Sequence, residues 1–168
     1  MKIAIISDTH DNIANLKKAA EFIKKEKIKT IILCGDIFKS ETIKEGLKRF
    51  AGKIYLVFSP VDADFSGIPR DSFKKIPHAK IFEKYGSVVI NKKKIAFCHF
   101  PEIARELAVL QKYDLVFFGH THKPWEEKIG KTRLVNPGNL AGIFYKATFA
   151  VYDASIGGLE LKIIDADK

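Results

Sequence analysis

Apolar positions along the first third of the chain form short continuous runs, separated by segments in which apolar residues recur at helical spacing. The runs are rich in Ile, Leu and Val, as in strands of a parallel sheet that is covered on both faces. One intervening segment carries the helical repeat Ile13, Leu16, Ala20 and Ile23. The alternation predicts a β-α-β-α-β arrangement and a parallel sheet, with strands at 2–6, 30–34 and 53–58.

Polar residues mark where the predicted helices begin. Asp11 and Asn12 can cap the first helix, and Thr42 with Glu45 has the spacing of a capping box for the second. Pro101 suits the first turn of a third helix. The apolar face of that helix is predicted to hold Ile103, Leu107 and Leu110.

The second half of the chain is predicted to be rich in strands and mostly antiparallel. Residues 59–80 contain three prolines and are predicted to form a loop with one short helix. No repeat or linker interrupts the sequence, so residues 1–168 are expected to form one domain. The predicted strands lie at 88–90, 94–98, 114–118, 124–129, 132–136, 147–153 and 158–164.

Composition indicates a globular protein that stays in the cytoplasm. Hydrophobic residues make up 46% of the chain and charged residues 29%. The apolar run at the start is too short for a signal peptide or a membrane span, so no membrane association is expected.

The two cysteines, Cys34 and Cys98, are expected to be free and buried. Abundant Lys and Ile with a single Gln favour a thermophilic source.

The formal net charge of +9 comes mainly from lysines. They are dispersed along the sequence rather than interleaved with aromatic residues, so a nucleic-acid binder or nuclease is the least favoured function. Attraction of an anionic substrate that carries phosphate is consistent with this charge. The sequence leaves a homo-oligomer open.

Candidate chemistry is concentrated in four blocks, each at the end of a predicted strand. Together the blocks contain four of the five histidines. Taken singly, an Asp-x-His pair or a turn aspartate is explained as well by capping or turn formation. Two histidines one residue apart after a buried strand are harder to explain by packing, and favour a metal site. The blocks are Asp8-Thr9-His10, Gly35-Asp36, His99 and Gly119-His120-Thr121-His122.

The order of these blocks, followed by Asn136-Pro137-Gly138, resembles the calcineurin-like metallophosphoesterase superfamily. Within it, the length and the Asn-Pro-Gly segment resemble the small bacterial and archaeal phosphodiesterases of the YfcE-type branch. The resemblance covers almost the whole chain. It implies a four-layer α-β-β-α sandwich of two mixed β-sheets flanked by helices.

The resemblance also implies a centre for two divalent metal ions, with manganese as the first expectation and Ni, Fe, Co or Zn as alternatives. By motif, Asp8, His10, Asp36 and His122 would hold the first ion. A second ion would be held by Asp36, His99 and His120. The implied reaction is hydrolysis of a small phosphate ester by metal-activated hydroxide.

Two positions depart from the family pattern. Where the family has Gly-Asn-x-Asp or Gly-Asn-His-Asp, this chain has Ser59-Pro60-Val61-Asp62. Pro60 lacks the ligand atom of the family's asparagine, Val61 stands at the usual general-acid position, and Asp62 is a candidate replacement ligand. Phe100 stands where the family has glycine. We therefore expect the second ion to bind more weakly than the first and no catalytic side chain to be identifiable.

These departures leave two functions in competition. The first is a metal-dependent phosphodiesterase or phosphatase with reduced activity. The second is a catalytically degenerate phosphoesterase fold that acts as a binding or scaffold module, as a eukaryotic retromer subunit of this type does. The complete first ligand set favours the enzyme.

Overall fold

In the part of the chain that the structure describes, three α-helices and eleven strands follow one another in an order close to the predicted one. The computed structural model describes residues 1–58 and 70–164, and all structural statements refer to these ranges. Helix α1 covers Ile13–Lys25, α2 covers Ser40–Gly46 and α3 covers Pro101–Val109, with a 3₁₀ helix at Arg70–Lys75. None of these helices is long and apolar enough to cross a membrane.

Six strands form the first sheet, in the order β11-β10-β1-β2-β3-β4. Strands β1 to β4 are parallel, and β10 and β11 are added in antiparallel pairing at the side of β1. Their bounds are Lys2–Ile6, Thr30–Leu33, Lys53–Val57 and Ala79–Phe82 for β1 to β4, and Thr148–Asp153 and Gly158–Ile163 for β10 and β11.

Five strands form the second sheet, in the order β5-β6-β7-β9-β8. Its centre is parallel, because β6 pairs with β7 and β7 with β9 in the same direction. Its two edges are antiparallel hairpins. The bounds are Tyr85–Ile90, Lys93–Cys98, Leu115–Phe117, Trp125–Ile129 and Thr132–Asn136 for β5 to β9.

Alternating side chains of β1 show how the layers are built. Ile3 and Ile5 point into a core between the two sheets, where they meet residues such as Phe97 and Phe117. Ala4 and Ile6 point the other way, into a core with Leu16 and other residues of α1 and α2. On the far side of the second sheet, α3 packs through Ala104, Leu107 and Ala108. The order helices, sheet, sheet, helix confirms the predicted four-layer sandwich of mixed sheets.

Three local predictions were wrong. Thr42 lies inside α2 rather than capping it, since the preceding Lys39 is the N-cap and makes no side-chain cap. Leu110 is 53% exposed, because the buried face of α3 is completed by alanines instead. Residues 59–80 were predicted to form a loop with one short helix, and the 3₁₀ helix at Arg70–Lys75 agrees with this. Strand β4 at Ala79–Phe82 was missed, because four residues with no long apolar run give little signal on their own.

Asp11 and Asn12, the polar residues before α1, make hydrogen bonds to different helices. Asn12 caps α1 by accepting a hydrogen bond from the Asn15 N–H at 3.0 Å. Asp11 instead reaches α2, where its carboxylate accepts from the Thr42 hydroxyl at 2.7 Å and from the Lys39 N–H at 3.2 Å. Asp11 thus fixes the loop after β1 to the loop after β2.

Candidate metal centre

The first two candidate blocks meet at the carboxyl edge of the first sheet. Strands β1 and β2 are parallel neighbours, so Asp8 and Asp36 emerge at the same edge. The loops are joined by hydrogen bonds from the Asp8 N–H to the Gly35 carbonyl at 3.3 Å and from the His10 N–H to the Asp36 carbonyl at 3.0 Å. The sequence pattern therefore brings both carboxylates to one place.

The other two blocks meet in the same way at the carboxyl edge of the second sheet. His99 follows β6 and Gly119 follows β7, and the Gly119 N–H donates to the His99 carbonyl at 3.0 Å. The sheets are connected at this point, because the His120 N–H donates to the carboxylate of Asp8, at 3.0 and 3.1 Å from its two oxygens. All four blocks consequently lie at one end of the sandwich.

Four side chains are close enough to share a single cation. Asp8, His10, Asp36 and His122 each present a ligand atom, and these atoms all lie within 4.8 Å of one another. The Nε2 atoms of His10 and His122 are 3.0 Å apart. His122 Nε2 lies 3.4 Å from Asp8 Oδ1, and His10 Nε2 lies 3.6 Å from Asp36 Oδ2. These four residues are the predicted set for the first ion.

His99 presents a buried ring nitrogen to the carboxylate of Asp36. Its Nδ1 lies 2.8 Å from the Cys34 carbonyl oxygen, and since a carbonyl can only accept, Nδ1 carries the proton. Among the described residues its buried Nε2 has no hydrogen-bond partner, and it lies 3.2 Å from Asp36 Oδ1. In the neutral ring this places a lone pair against a carboxylate, an unfavourable arrangement that a cation between them relieves.

His120 lies next to His99 but is more open to solvent. The two rings have centroids 5.1 Å apart, and the ring of Phe100 lies 4.8 Å from His99 and 4.9 Å from His120. His99 and His120 are not part of the group of four whose ligand atoms lie within 4.8 Å of one another, so their use by a second ion with Asp36 stays a prediction. Phe100 occupies space beside these two histidines, as its position in the sequence suggests.

The backbone of the site is strained. Five of the six candidate ligands have positive φ, a conformation uncommon for residues other than glycine, although Asp and His adopt it more often than most. Such residues cost on the order of 1–3 kcal/mol each and are concentrated at functional sites. The values are 51° for Asp8, 42° for His10, 53° for Asp36, 69° for His120 and 60° for His122.

Gly35 provides room for the histidine of the other sheet. Its φ is +94°, and a Cβ atom at this position would lie 2.6 Å from His99 Nδ1. A side chain here would push His99 away from the Cys34 carbonyl. The glycine of the Gly-Asp block is therefore required for the approach of His99 as well as for the turn.

Two asparagines hold the histidine loop, and their roles were not predicted. Asn136 donates to the Gly119 carbonyl at 2.9 Å and to the Thr121 hydroxyl oxygen at 3.0 Å. Asn139 donates to the His122 carbonyl at 3.1 Å and accepts from the Ile143 N–H at 2.8 Å. The available signal was their position, with Asn136 as the last residue of β9 and Asn139 just after it. Because β9 is parallel to β7, both asparagines lie at the same edge as the histidine loop.

The surroundings move the pKa values of two candidate ligands in opposite directions. The nearby Asp8 carboxylate raises the pKa of His122. Burial lowers the pKa of His10, against the opposing attraction of Asp36. A lower pKa keeps the His10 ring neutral, which is the form that binds metals.

Part of the predicted site lies outside the described residues. This applies to Ser59 and Pro60, to Val61 at the usual general-acid position, and to the candidate replacement ligand Asp62. Their expected roles stay predictions.

The sequence as a whole matches one family. Residues 1–156 match the calcineurin-like phosphoesterase superfamily domain. The chain belongs to this superfamily. Membership confirms the predicted family and the enzyme class, a metal-dependent phosphoesterase. The metallophosphoesterase fold also agrees with the two mixed sheets described above.

Several relatives in this superfamily are similar over most of their length. Phosphodiesterase MJ0936 of Methanocaldococcus jannaschii is 32% identical over 144 residues, which cover 84% of this chain and 86% of the relative. Phosphodiesterase YfcE of Escherichia coli K12 is 21% identical over 154 residues, which cover 84% and 80%. The solved structure of an archaeal phosphodiesterase superposes with a TM-score of 0.85 at 28% identity, covering 98% of this chain and 100% of that chain.

Proposed function

We propose that this chain hydrolyses a small phosphate ester, most readily a phosphodiester, at a divalent-metal centre formed by Asp8, His10, Asp36 and His122. The observation that carries the proposal is the grouping of these four ligand atoms within 4.8 Å, from loops of both sheets. Similarity to phosphodiesterase MJ0936 supports the reaction type. A second, weaker ion would use Asp36, His99 and His120.

The donor set indicates which metals suit the centre. Imidazole nitrogens with carboxylate oxygens suit Mn, Fe, Co, Ni or Zn. The group of four contains no cysteine, and the thiol of Cys98 is directed at backbone carbonyls. Manganese is our first choice, since it accepts mixed oxygen and nitrogen ligands. When bound, such a metal polarises phosphate oxygens and lowers the pKa of water.

Residues around the centre fix the orientation of its ligands. The His120 N–H directs the Asp8 carboxylate, and the Cys34 carbonyl fixes the tautomer of His99 so that Nε2 faces Asp36. Ligands held in this way keep their geometry when substrate binds. The described residues include no side chain that we assign as a general acid, so we expect esters with good leaving groups to react fastest.

Metal titration of histidine variants tests the proposal. We expect the parent protein to bind one ion tightly and a second more weakly. His122→Ala should weaken the tight ion at least tenfold, whereas His99→Ala should affect mainly the second ion. His78→Ala is the matched control, because His78 is exposed and lies at the opposite edge, before β4. Calorimetric titration with manganese measures both affinities.

Turnover is measured on the same variants with bis(p-nitrophenyl) phosphate. Hydrolysis that depends on added metal and is lost in His122→Ala but kept in His78→Ala is the expected result. One tight ion without turnover would contradict the enzymatic proposal and favour the scaffold function. Equal metal binding by the parent and His122→Ala would contradict the ligand assignment itself.

A further inference from the structure

Phenylalanines are distributed unequally between the core and the candidate centre. The chain contains thirteen, of which Phe65 lies outside the described residues. Nine of the others belong to, or pack against, the three hydrophobic cores. The three described phenylalanines that join none of these cores are Phe38, Phe100 and Phe144. Packing of the fold therefore does not explain them.

Each of these three rings contacts a histidine of the candidate centre. Phe38 lies 5.4 Å from His10 between ring centroids, with the rings inclined at 62°. Phe100 lies against His99 and His120 as described above. Phe144 lies 5.9 Å from His122, with an angle of 38°. We call Phe38, Phe100 and Phe144 the aromatic rim.

Phe144 is the most exposed member and the least favourable for stability. Its side chain is 89% exposed, so the ring gains little from burial. Its φ is +63°, which is an outlier for a bulky residue. A residue that is both strained and exposed beside a functional site is better explained by ligand binding than by folding.

Building on the proposed function, we propose that the aromatic rim binds a planar aromatic ring carried by the phosphate ester. A phosphate bound by the candidate ligands would have its ester group on the open side of the centre, where the exposed Phe144 ring lies beside His122. Contact with the exposed ring of Phe144 favours an aryl group or a nucleobase over an alkyl group or a bare sugar. The substrate class is thus an aromatic phosphate ester.

Paired ligands that differ by one ring test this proposal. Phenylphosphonate is compared with methylphosphonate, which probes a ring attached directly to phosphorus. Adenosine 5′-phosphate is compared with ribose 5-phosphate, which probes a base attached through a sugar. Calorimetry with the manganese-loaded protein should show a preference for the ring of about two- to tenfold in one pair, and that pair identifies the source of the ring.

Two variants separate recognition from stability. Phe144→Asn removes the ring and suits positive φ, so we expect the preference to fall to about one while the melting temperature of the metal-free protein is equal or higher. Ile156→Asn is the control. Ile156 is 82% exposed and lies in the turn after β10, at the opposite edge from the centre. It should change neither quantity.

The outcomes are distinguishable from those for the proposed function. The phosphonates are not hydrolysed, so they report ring preference even if the protein has no esterase activity. Binding of the ligands without a preference for the ring overturns the aromatic rim alone, and so does a preference that Phe144→Asn leaves unchanged. Failure of every ligand to bind overturns the rim together with the proposed phosphate site. A large fall in melting temperature in Phe144→Asn would also overturn it, because Phe144 would then be structural.

Discussion

Gly119→Ala should damage the candidate centre although alanine is the smallest possible addition. A Cβ atom at position 119 would overlap the Ser7 hydroxyl, and it would lie 2.6 Å from Asp8 Oδ2 and 3.0 Å from Ser7 Cβ. Ordinary contact begins near 3.4 Å, so the Asp8 oxygen must retreat by about 0.8 Å. Both side chains are buried, with Asp8 at 0% and Ser7 at 1% exposure, so neither can move into solvent.

The expected loss of stability follows from these contacts. Overpacking of a buried site costs typically about 1–3 kcal/mol. Rotation of Ser7 also breaks its 3.2 Å hydrogen bond to the Cys34 carbonyl, which is worth about 1 kcal/mol. Together they give about 2–4 kcal/mol, which for a chain of this length lowers the melting temperature by roughly 4–16 °C. Metal distances tolerate only about 0.2 Å, so the affinity of the tight ion should fall at least tenfold.

Thermal unfolding and manganese titration measure the two effects of Gly119→Ala. The control is Gly158→Ala, where the added Cβ would meet only the end of the exposed Ile156 side chain at 3.2 Å. The control should match the parent in both assays. A folded Gly119→Ala protein that binds manganese as tightly as the parent would refute the argument that Asp8 must keep its position to bind the metal.

Three further predictions concern the rest of the fold. Burial raises the pKa of the Cys34 thiol and raises that of Cys98 to about 12, so neither should react with an alkylating reagent at pH 8 until the protein is unfolded, as mass spectrometry would show. Hydrogen bonds from the Ser155 backbone N–H and from the N-terminal amine lower the pKa of Asp153 to about 2. The stabilisation that the ionised Asp153 provides is therefore complete above pH 4 and is lost as the pH falls toward 2. Asp153→Asn should lower the midpoint of urea unfolding at pH 7 and have much less effect on it at pH 2. Asp11→Ala should cost about 1–2 kcal/mol in urea unfolding through the loss of the Thr42 and backbone bonds at α2, whereas Asp11→Asn, which keeps an acceptor and tolerates positive φ, should cost less.

The apolar runs predicted most of the strands, whereas the four layers were implied by the family resemblance. The runs are continuous because the two faces of a strand buried between layers differ only in which core they join. Strand β1 carries Ile3 and Ile5 toward one core and Ala4 and Ile6 toward the other, and both sets are apolar. Strand β4 was missed because it is short and its side chains are only partly buried. The parallel pairing of β7 with β9 could not be predicted from the sequence, because it depends on contacts between distant segments.

The candidate ligands could be predicted from residue type and position at strand ends, and the structure brings four of them within 4.8 Å. Their supporting contacts could not. The Cys34 carbonyl that orients His99 is a backbone atom, and no sequence pattern marks it. The aromatic rim was equally hidden, because a phenylalanine is normally assigned to a core until the cores are known. Only Phe100 was noticed, through its departure from a motif.

The joining of the two sheets at Asp8 has a consequence for the chain as a polymer. His10 and His122 are separated by 112 positions in the sequence, yet their Nε2 atoms lie 3.0 Å apart. An ion shared by these residues would close a loop of that length, and in the chain-entropy description a cross-link across about 100 residues removes roughly 4–5 kcal/mol of freedom from the unfolded chain. Chelation of the ion would return this freedom to the unfolded chain and would therefore lower the stability of the whole fold against unfolding.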